Sequence, residues 1–224
     1  MNGNAGRDKL EGEDGDDTLY GGGDDDELKG GKGNDRLFGG SGDDKLEVKE
    51  GNNLLKGGDG HDEIKGGKGN DRLDGGAGND EIEAGEGTNR LVGGAGNDEL
   101  KAGKGFDTLI GVDPMQQFAG RGEIDELIGK DGDRYVLGDT NQVYYDDGNI
   151  NSLGLLDHAY ISDFKGDKGD VIQLKGNASM YVLGQGRSKD EKALFFTQGG
   201  QSELIALVDG KKLTSLTGDS FEYV

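Results

Sequence analysis

The sequence predicts an all-β solenoid of short, stacked parallel strands, closed by a β-rich C-terminal segment. Three observations lead to this prediction. A strict nine-residue period runs from Gly3 to Ile110 without an insertion. Every nine-residue unit carries a large aliphatic side chain in its eighth position, or slot. Most units open with a glycine-rich quartet, and all have an aspartate or asparagine in the sixth slot.

The eighth-slot side chains form the predicted core. Side chains of a short strand alternate between its two faces, so slot eight points inward while slots seven and nine point outward. One unit cannot bury its aliphatic side chain, but stacked units build a continuous core. The twelve core residues are Leu10, Leu19, Leu28, Leu37, Leu46, Leu55, Ile64, Leu73, Ile82, Leu91, Leu100 and Leu109.

Two units make one coil, which places one strand on each of two facing sheets. Every second unit therefore stacks directly above the one before it. We name the units that begin at 3, 21, 39, 57, 75 and 93 the first series, and those that begin at 12, 30, 48, 66, 84 and 102 the second series. Glycines supply the positive φ angles that such tight turns require.

The sixth slot carries the predicted chemistry. Stacked strands lie about 4.8 Å apart, and two carboxylates at that distance repel by roughly 3.5 kcal/mol at an effective dielectric of about 20. A divalent cation between turns removes the repulsion, and Ca²⁺ suits the site because it accepts oxygen ligands in loose geometry. The predicted metal ligands are Asp8, Asp26, Asp44, Asp62, Asp80 and Asp98 in the first-series column, and Asp17, Asp35, Asn53, Asp71, Asn89 and Asp107 in the second-series column.

The second-series column is interrupted by the amides of Asn53 and Asn89. An asparagine oxygen ligates calcium but brings no charge. We therefore expect this column to bind calcium more weakly, or to be held in part by Asn hydrogen bonds in place of ions. His61, in a fifth slot, is expected to be a solvated surface residue rather than a ligand.

The units GGKGNDRLF, GGDGHDEIK, GGKGNDRLD and GGAGNDELK resemble the RTX nonapeptide of secreted bacterial proteins such as serralysin-type proteases and adenylate cyclase toxin. The resemblance implies a right-handed parallel β-roll in which Ca²⁺ ions lie between turns, held by sixth-slot carboxylates and turn carbonyls. AYISDFKGDKGDVIQL resembles the strand pair that follows such repeats in serralysin-like proteins. The ending DSFEYV resembles their C-terminal export signal, which implies an extracellular protein secreted by a type I apparatus; the alternative is a last edge strand.

Three segments are predicted: a calcium-binding roll at 3–110, degenerate terminal repeats at 111–137, and a β-rich cap with the export signal at 138–224. The cap is needed because an open solenoid end exposes core and strand edges. In the terminal repeats Arg134 is expected in the first-series column, where its guanidinium would replace an ion. Extending the frame puts Phe118, Leu127 and Val136 in the core slot and Gln116, Asp125 and Arg134 in the sixth slot.

The charge of the chain restricts its partners. It has 46 acidic and 25 basic residues, for a formal net charge of -21, and no cysteine. Such a chain repels nucleic-acid phosphates and attracts cations. It contains no apolar run long enough to span a bilayer. We also find no paired nucleophile and base, no HExxH and no phosphate loop, so we expect no enzyme.

Two functions stay open on the sequence alone. One is a calcium-binding RTX module that folds on binding Ca²⁺ outside the cell and serves type I secretion of a larger protein. The alternative is a natural or engineered calcium-stabilised scaffold, or an adhesin segment, without enzymatic activity. Outward apolar residues also predict a docking face for a missing domain or a second chain on the second-series sheet. These residues are Tyr20, Phe38, Val92 and Ile110.

Overall fold

In a computed structural model, the protein consists largely of two large β-sheets. Along the repeats, successive strands belong alternately to one sheet and to the other. The parts of the chain that the structure describes are residues 1–115, 122–130, 132–138, 142–144, 158–198, 201–209, 213 and 215–224.

The first-series sheet has eleven strands. Its strands run parallel to one another except for the last two pairings, which are antiparallel and close the stack. In spatial order the strands are β2 (Lys9–Glu11), β4 (Glu27–Lys29), β6 (Lys45–Glu47), β8 (Glu63–Lys65), β10 (Glu81–Glu83), β12 (Glu99–Lys101), β14 (Ile124–Ile128), β16 (His158–Ser162), β20 (Gln201–Asp209), β19 (Glu191–Gln198) and β18 (Tyr181–Gln185).

The second-series sheet has ten strands, all paired in parallel. Most of its repeat strands are longer than expected, because each continues through slot nine into the opening glycines of the next unit. In spatial order they are β1 (Asn2–Ala5), β3 (Thr18–Gly23), β5 (Arg36–Ser41), β7 (Leu54–Asp59), β9 (Arg72–Ala77), β11 (Arg90–Ala95), β13 (Thr108–Val112), β15 (Arg134–Val136), β17 (Val171–Leu174) and β21 (Phe221–Tyr223).

The register confirms the predicted coil. Leu10 pairs with Leu28, and Leu19 pairs with Leu37, so units of the same series stack on one another. The eighth-slot residues from Leu19 to Leu109 are at most 1% exposed and belong to one continuous cluster. The core is therefore a single aliphatic stack between the two sheets.

The prediction for the terminal repeats is partly wrong. Leu127 does occupy a core slot, but it pairs with Leu100, so Asp125 joins the first-series column rather than the second. Tyr135, not Val136, pairs with Leu109 in the second-series sheet. The period fails because the sixth-slot residues of these coils lie 27 and 26 residues apart instead of 18.

Arg134 does not lie in the sixth slot. It faces outward from β15 in the seventh slot, where it donates to Gln173 Oε1 at 3.1 Å and forms an ion pair with Glu222. Its predicted replacement of an ion in the first-series column is therefore wrong. Gln116 and Phe118 lie outside the described residues.

Fewer of the predicted docking-face residues are exposed than the sequence pattern indicates. Tyr20 is 48% exposed and stacks on Phe38 with ring centroids 5.0 Å apart. Val92 is half-buried. Ile110 is only 5% exposed and belongs to the same core cluster as Tyr144, a buried residue beyond β13. Ile110 is thus a core residue and not part of an exposed face.

The C-terminal ending is a paired strand. β21 is the last strand of the second-series sheet and pairs with β17, and Phe221 is buried. The two helical segments in the described part of the chain are single 3-10 turns, η1 (Gly166–Lys168) and η2 (Ala178–Met180). Neither has the length or apolar character of a helix that could cross a membrane.

Candidate metal centre

The sixth-slot residues lie in two columns, each residue directly before a strand. From Asp26 to Asp107 they are at most 4% exposed, whereas Asp8 and Asp17 at one end are half-buried. Beyond the repeats, the first-series column continues with Asp125 and stops at Ala159, which takes the next sixth slot. The second-series column continues with Asp133 and Asp170. Both were missed as members of this column.

One oxygen of each sixth-slot side chain holds two coils together. Asp44 Oδ1 accepts the backbone N–H of Asp26 at 2.8 Å. The same bond, at 2.7–2.9 Å, joins the other neighbours in both columns, up to Asp125 and Asp170. Asparagine takes part equally well, because its amide oxygen accepts the same N–H. A change from Asp to Asn therefore leaves this ladder intact.

The second carboxylate oxygen, Oδ2, is buried and accepts no hydrogen bond in eight of the aspartates. Leaving a buried polar group unsatisfied costs about 1–3 kcal/mol, and more when the group is charged. Eight such oxygens in two rows are far outside what native proteins leave unpaired. They belong to Asp8, Asp26, Asp44, Asp62, Asp80 and Asp98 of the first series and to Asp35 and Asp71 of the second.

Each of these oxygens lies against the first-slot glycine of its unit, too close to allow a side chain there. A Cβ atom built on Gly39 would lie 2.7 Å from Gly57 O and still closer to Asp44 Oδ2. The arrangement repeats along the first series, for example at Gly75, between Gly93 O and Asp80 Oδ2. A free carboxylate oxygen and a carbonyl oxygen of the next coil therefore converge where a side chain would otherwise stand.

The side chain of Asn53 shows which other oxygens surround the position of an aspartate Oδ2. Its Nδ2 atom, which replaces the Oδ2 of an aspartate, donates to Gly51 O at 3.1 Å and to Asp71 Oδ1 at 2.9 Å. Gly51 lies in the fourth slot, and no fourth-slot carbonyl of the twelve units accepts a backbone hydrogen bond. An aspartate Oδ2 in this place would face only other acceptor oxygens, and a cation would satisfy all of them together.

Three second-series units differ from the other nine in the first slot, and two of them in the sixth slot as well. Their first slot holds a buried side chain, Val48, Ala84 or Ala102, in place of glycine. Their sixth slot holds Asn53, Asn89 or Asp107, and none of the three has an unbonded carboxylate oxygen. In the last of them, Asp107 Oδ2 accepts the N–H of Gly103 at 3.1 Å.

The end of the second-series column is satisfied by backbone donors. Asp133 Oδ2 accepts the N–H of Lys130 at 2.6 Å. Asp170 Oδ2 accepts the N–H of Lys165 at 2.7 Å. These two aspartates therefore use N–H groups where those of the repeats leave an oxygen without a donor.

Burial raises the pKa of the sixth-slot carboxyl groups from Asp35 to Asp107. The loss of solvation raises the pKa of Asp44 to about 6 and that of Asp62 to about 7. The pKa of Asp98 rises to about 8, first through burial and then through the neighbouring carboxylate of Asp125. The columns thus disfavour their own ionised form as long as nothing neutralises it.

A second ladder, which the sequence analysis missed, joins fifth-slot residues in the opposite direction. Asn70 Oδ1 accepts the N–H of Thr88 at 2.8 Å, one coil further along the chain. His61 is exposed as expected, but its Nδ1 accepts the N–H of Asn79 at 2.7 Å and so belongs to this ladder. The frequent Asn and Asp in slot five, which also form such bonds at Asp16 and Asn52, were the available signal.

The chemistry of the columns is that of a hard-cation site built largely from backbone. Among the described residues, no three Asp, Glu, His or Cys side chains lie close enough together to hold a metal by themselves. Carbonyl oxygens must therefore supply much of any coordination shell. Calcium tolerates this mixture because it binds carboxylate and carbonyl oxygens in flexible geometry.

Comparison with known proteins agrees with this chemistry. A family model described as the RTX calcium-binding nonapeptide repeat matches residues 1–28, 20–55, 47–82 and 83–111. No curated protein matches the chain. The matched region contains all twelve units, and repeats of this family bind Ca²⁺ at multiple sites. Residues 1–111 of this chain therefore belong to the RTX calcium-binding nonapeptide repeat family.

Proposed function

We propose that this chain is a calcium-dependent folding module whose sixth-slot carboxylates and turn carbonyls bind Ca²⁺ between successive coils. The observation that carries the proposal is the set of eight buried Oδ2 atoms without a donor. In the first series, Asp44 Oδ2 and Gly57 O would be two of the ligands at one site, and the fold repeats this pair along the column. When bound, calcium supplies the positive charge that the columns lack.

Calcium binding and folding are coupled in this proposal. Without ions, rows of buried carboxylates oppose the stacking of coils. An ion that binds only the folded roll stabilises it by mass action, by about 2.7 kcal/mol per site at a free concentration of 100 Kd. The chain would stay unfolded where calcium is scarce and fold where it is abundant.

The folding proposal is tested by far-UV circular dichroism during a calcium titration, followed by excess chelator. We expect a β-sheet signal to appear with calcium and to be lost on chelation. Magnesium at the same concentration serves as the control and should give little folding, because it demands a tight octahedral shell. A β-sheet signal that is unchanged by chelation would refute the proposal.

We further infer that this switch serves export. RTX repeats are typical of secreted proteins, and the chain would pass unfolded through a type I apparatus and fold outside the cell, as part of a larger secreted protein. The test compares export of the full chain with that of a variant lacking the ending DSFEYV, in a host that carries a type I exporter. Equal export of both would refute the role of the ending, while leaving the calcium proposal untouched.

A further inference from the structure

We propose that the three units that begin at Val48, Ala84 and Ala102 take no calcium, so that the two columns depend on the ion to different degrees. The inference rests on the proposed function, since it asks which units can hold the ion. Although every unit keeps the nine-residue period, these three do not fit the ion that the family binds.

The first step is steric. In the other nine units the first slot is glycine, and in the first series its missing Cβ allows Asp Oδ2 and the carbonyl of the next coil to approach a point that a side chain would exclude. In these three units a Cβ is present at that place. Val48, Ala84 and Ala102 are all buried and form part of the aliphatic core. The space is thus filled by side-chain carbon.

The second step concerns the oxygen that would bind the ion. Asn53 offers an amide N–H₂ there, and it already donates to Gly51 O and Asp71 Oδ1. The amide thus donates hydrogen bonds to two of the acceptor oxygens that surround the position of an aspartate Oδ2. In the Asp107 unit the oxygen remains, but the N–H of Gly103 occupies it.

The Asn89 unit combines both changes. Its Nδ2 is buried and makes no hydrogen bond. The space beside it is nevertheless closed by Ala84, which has no exposed surface. This unit therefore gives up both the charge and the space of an ion site.

The first-slot residue and the bonding of the sixth-slot side chain correspond across the twelve units. Every unit with a first-slot side chain lacks an unbonded carboxylate oxygen, and every unit with a first-slot glycine has an aspartate in slot six. The first-series column is left with six ion-competent units in an unbroken row. The second-series column keeps three, at Asp17, Asp35 and Asp71.

The experiment counts bound calcium in the full chain by native mass spectrometry and equilibrium dialysis. We expect no more than nine ions in the repeats of the natural protein. The variant A84G/N89D rebuilds an open space and a carboxylate, and should bind one ion more. N89D alone should bind no extra ion and should have a lower melting temperature, because its new charge meets a closed space.

The matched control is G57A/D62N, which copies the Ala84 and Asn89 pair into the first series and should bind one ion fewer. It keeps the test decisive even if A84G/N89D fails to fold. An extra ion in N89D alone, or no loss in G57A/D62N, would overturn this inference. A natural protein that binds no calcium would instead refute the proposed function.

Discussion

Asn53 donates its side-chain amide to the carboxylate of Asp71 at 2.9 Å, in a place where an aspartate would put a second acceptor oxygen. The amide nitrogen of Asn53 thus satisfies acceptor oxygens in one turn. We assign the same role to calcium ions in the turns of the first series. The same bond explains why the repeat tolerates asparagine, since the amide oxygen still accepts the N–H of Asp35. The two oxygens of each sixth-slot aspartate therefore have separate roles.

Replacing Asp62 by asparagine separates these roles. The ladder bond should persist, as it does at Asn53, while one ion loses the charged ligand that lies against Gly57. We expect weaker calcium binding and a loss of about 1.5–3 kcal/mol of stability in calcium, measured by denaturant unfolding. Asp59→Asn, at an exposed third-slot position, is the control. Equal losses in the two variants would contradict the assignment.

Two neighbouring glycines should respond differently to alanine. Gly57 has an ordinary φ, but an added Cβ would lie 2.7 Å from Gly75 O and closer to Asp62 Oδ2. Gly58 has a φ of 126°, and its Cβ would meet the backbone of Gly40. We therefore expect G58A to lose similar stability with and without calcium, and G57A to lose more in calcium than without it, because its Cβ also displaces the ligand oxygen Asp62 Oδ2. Melting curves in calcium and in chelator at pH 5, where we expect more of the calcium-free chain to be folded, distinguish the two, and identical behaviour would argue against an ion site at Gly57.

The stability of the calcium-free roll should fall as pH rises. The pKa values of Asp44, Asp62 and Asp98 lie at about 6, 7 and 8 in the folded chain, above the value of about 4 for an unfolded aspartate. The folded state therefore binds more protons than the unfolded state between about pH 4 and pH 8, and loses stability across that window.

The measurement is the β-sheet signal in chelator at pH 5 and pH 8. We expect more folded protein at pH 5. In calcium the order should reverse, because protons compete with the ion for the same carboxylates. A calcium-free signal that grows with rising pH would be incompatible with carboxylates buried without a partner.

The fifth-slot ladder should stabilise the roll without calcium. Asn70→Ala removes the acceptor of the Thr88 N–H, and we expect a loss of about 1 kcal/mol in calcium and in acidic chelator alike. Thr88→Ala is the matched control, because in the described chain its side chain accepts no hydrogen bond from the next coil. If N70A is no less stable than T88A, the ladder contributes nothing measurable.

The nine-residue period was sufficient to predict the coil, the register and the core of the repeats. It also identified the two columns, because residues at a fixed slot must stack when every second unit shares a sheet. Whether the individual sixth-slot residues ligate calcium remains a prediction. The boundaries at 110 and 137 also remain predictions, although both sheets run without a break through β14 and β15 into β16 and β17.

The nine-residue period gave wrong assignments where the segments between stacked strands change in length. Asp125 and Arg134 were assigned by counting nines, whereas 27-residue and 26-residue steps shift the chain to another column or by one slot. The run Asp-Arg-Tyr at 133–135 repeats Asp-Arg-Leu at 35–37 and would have corrected the frame. The link between Ala84 and Asn89 needs three dimensions, because only the fold places a first-slot Cβ beside a sixth-slot side chain.

The central claim is that buried Oδ2 atoms of the first-series column bind calcium. A crystal structure of the chain grown in calcium, with anomalous scattering recorded at long wavelength, tests it most directly. We predict a row of anomalous peaks within about 2.3–2.6 Å of the Oδ2 atoms of Asp26, Asp44, Asp62, Asp80 and Asp98, and none beside Asn89 Nδ2. A folded roll with no peak next to these oxygens would contradict the account.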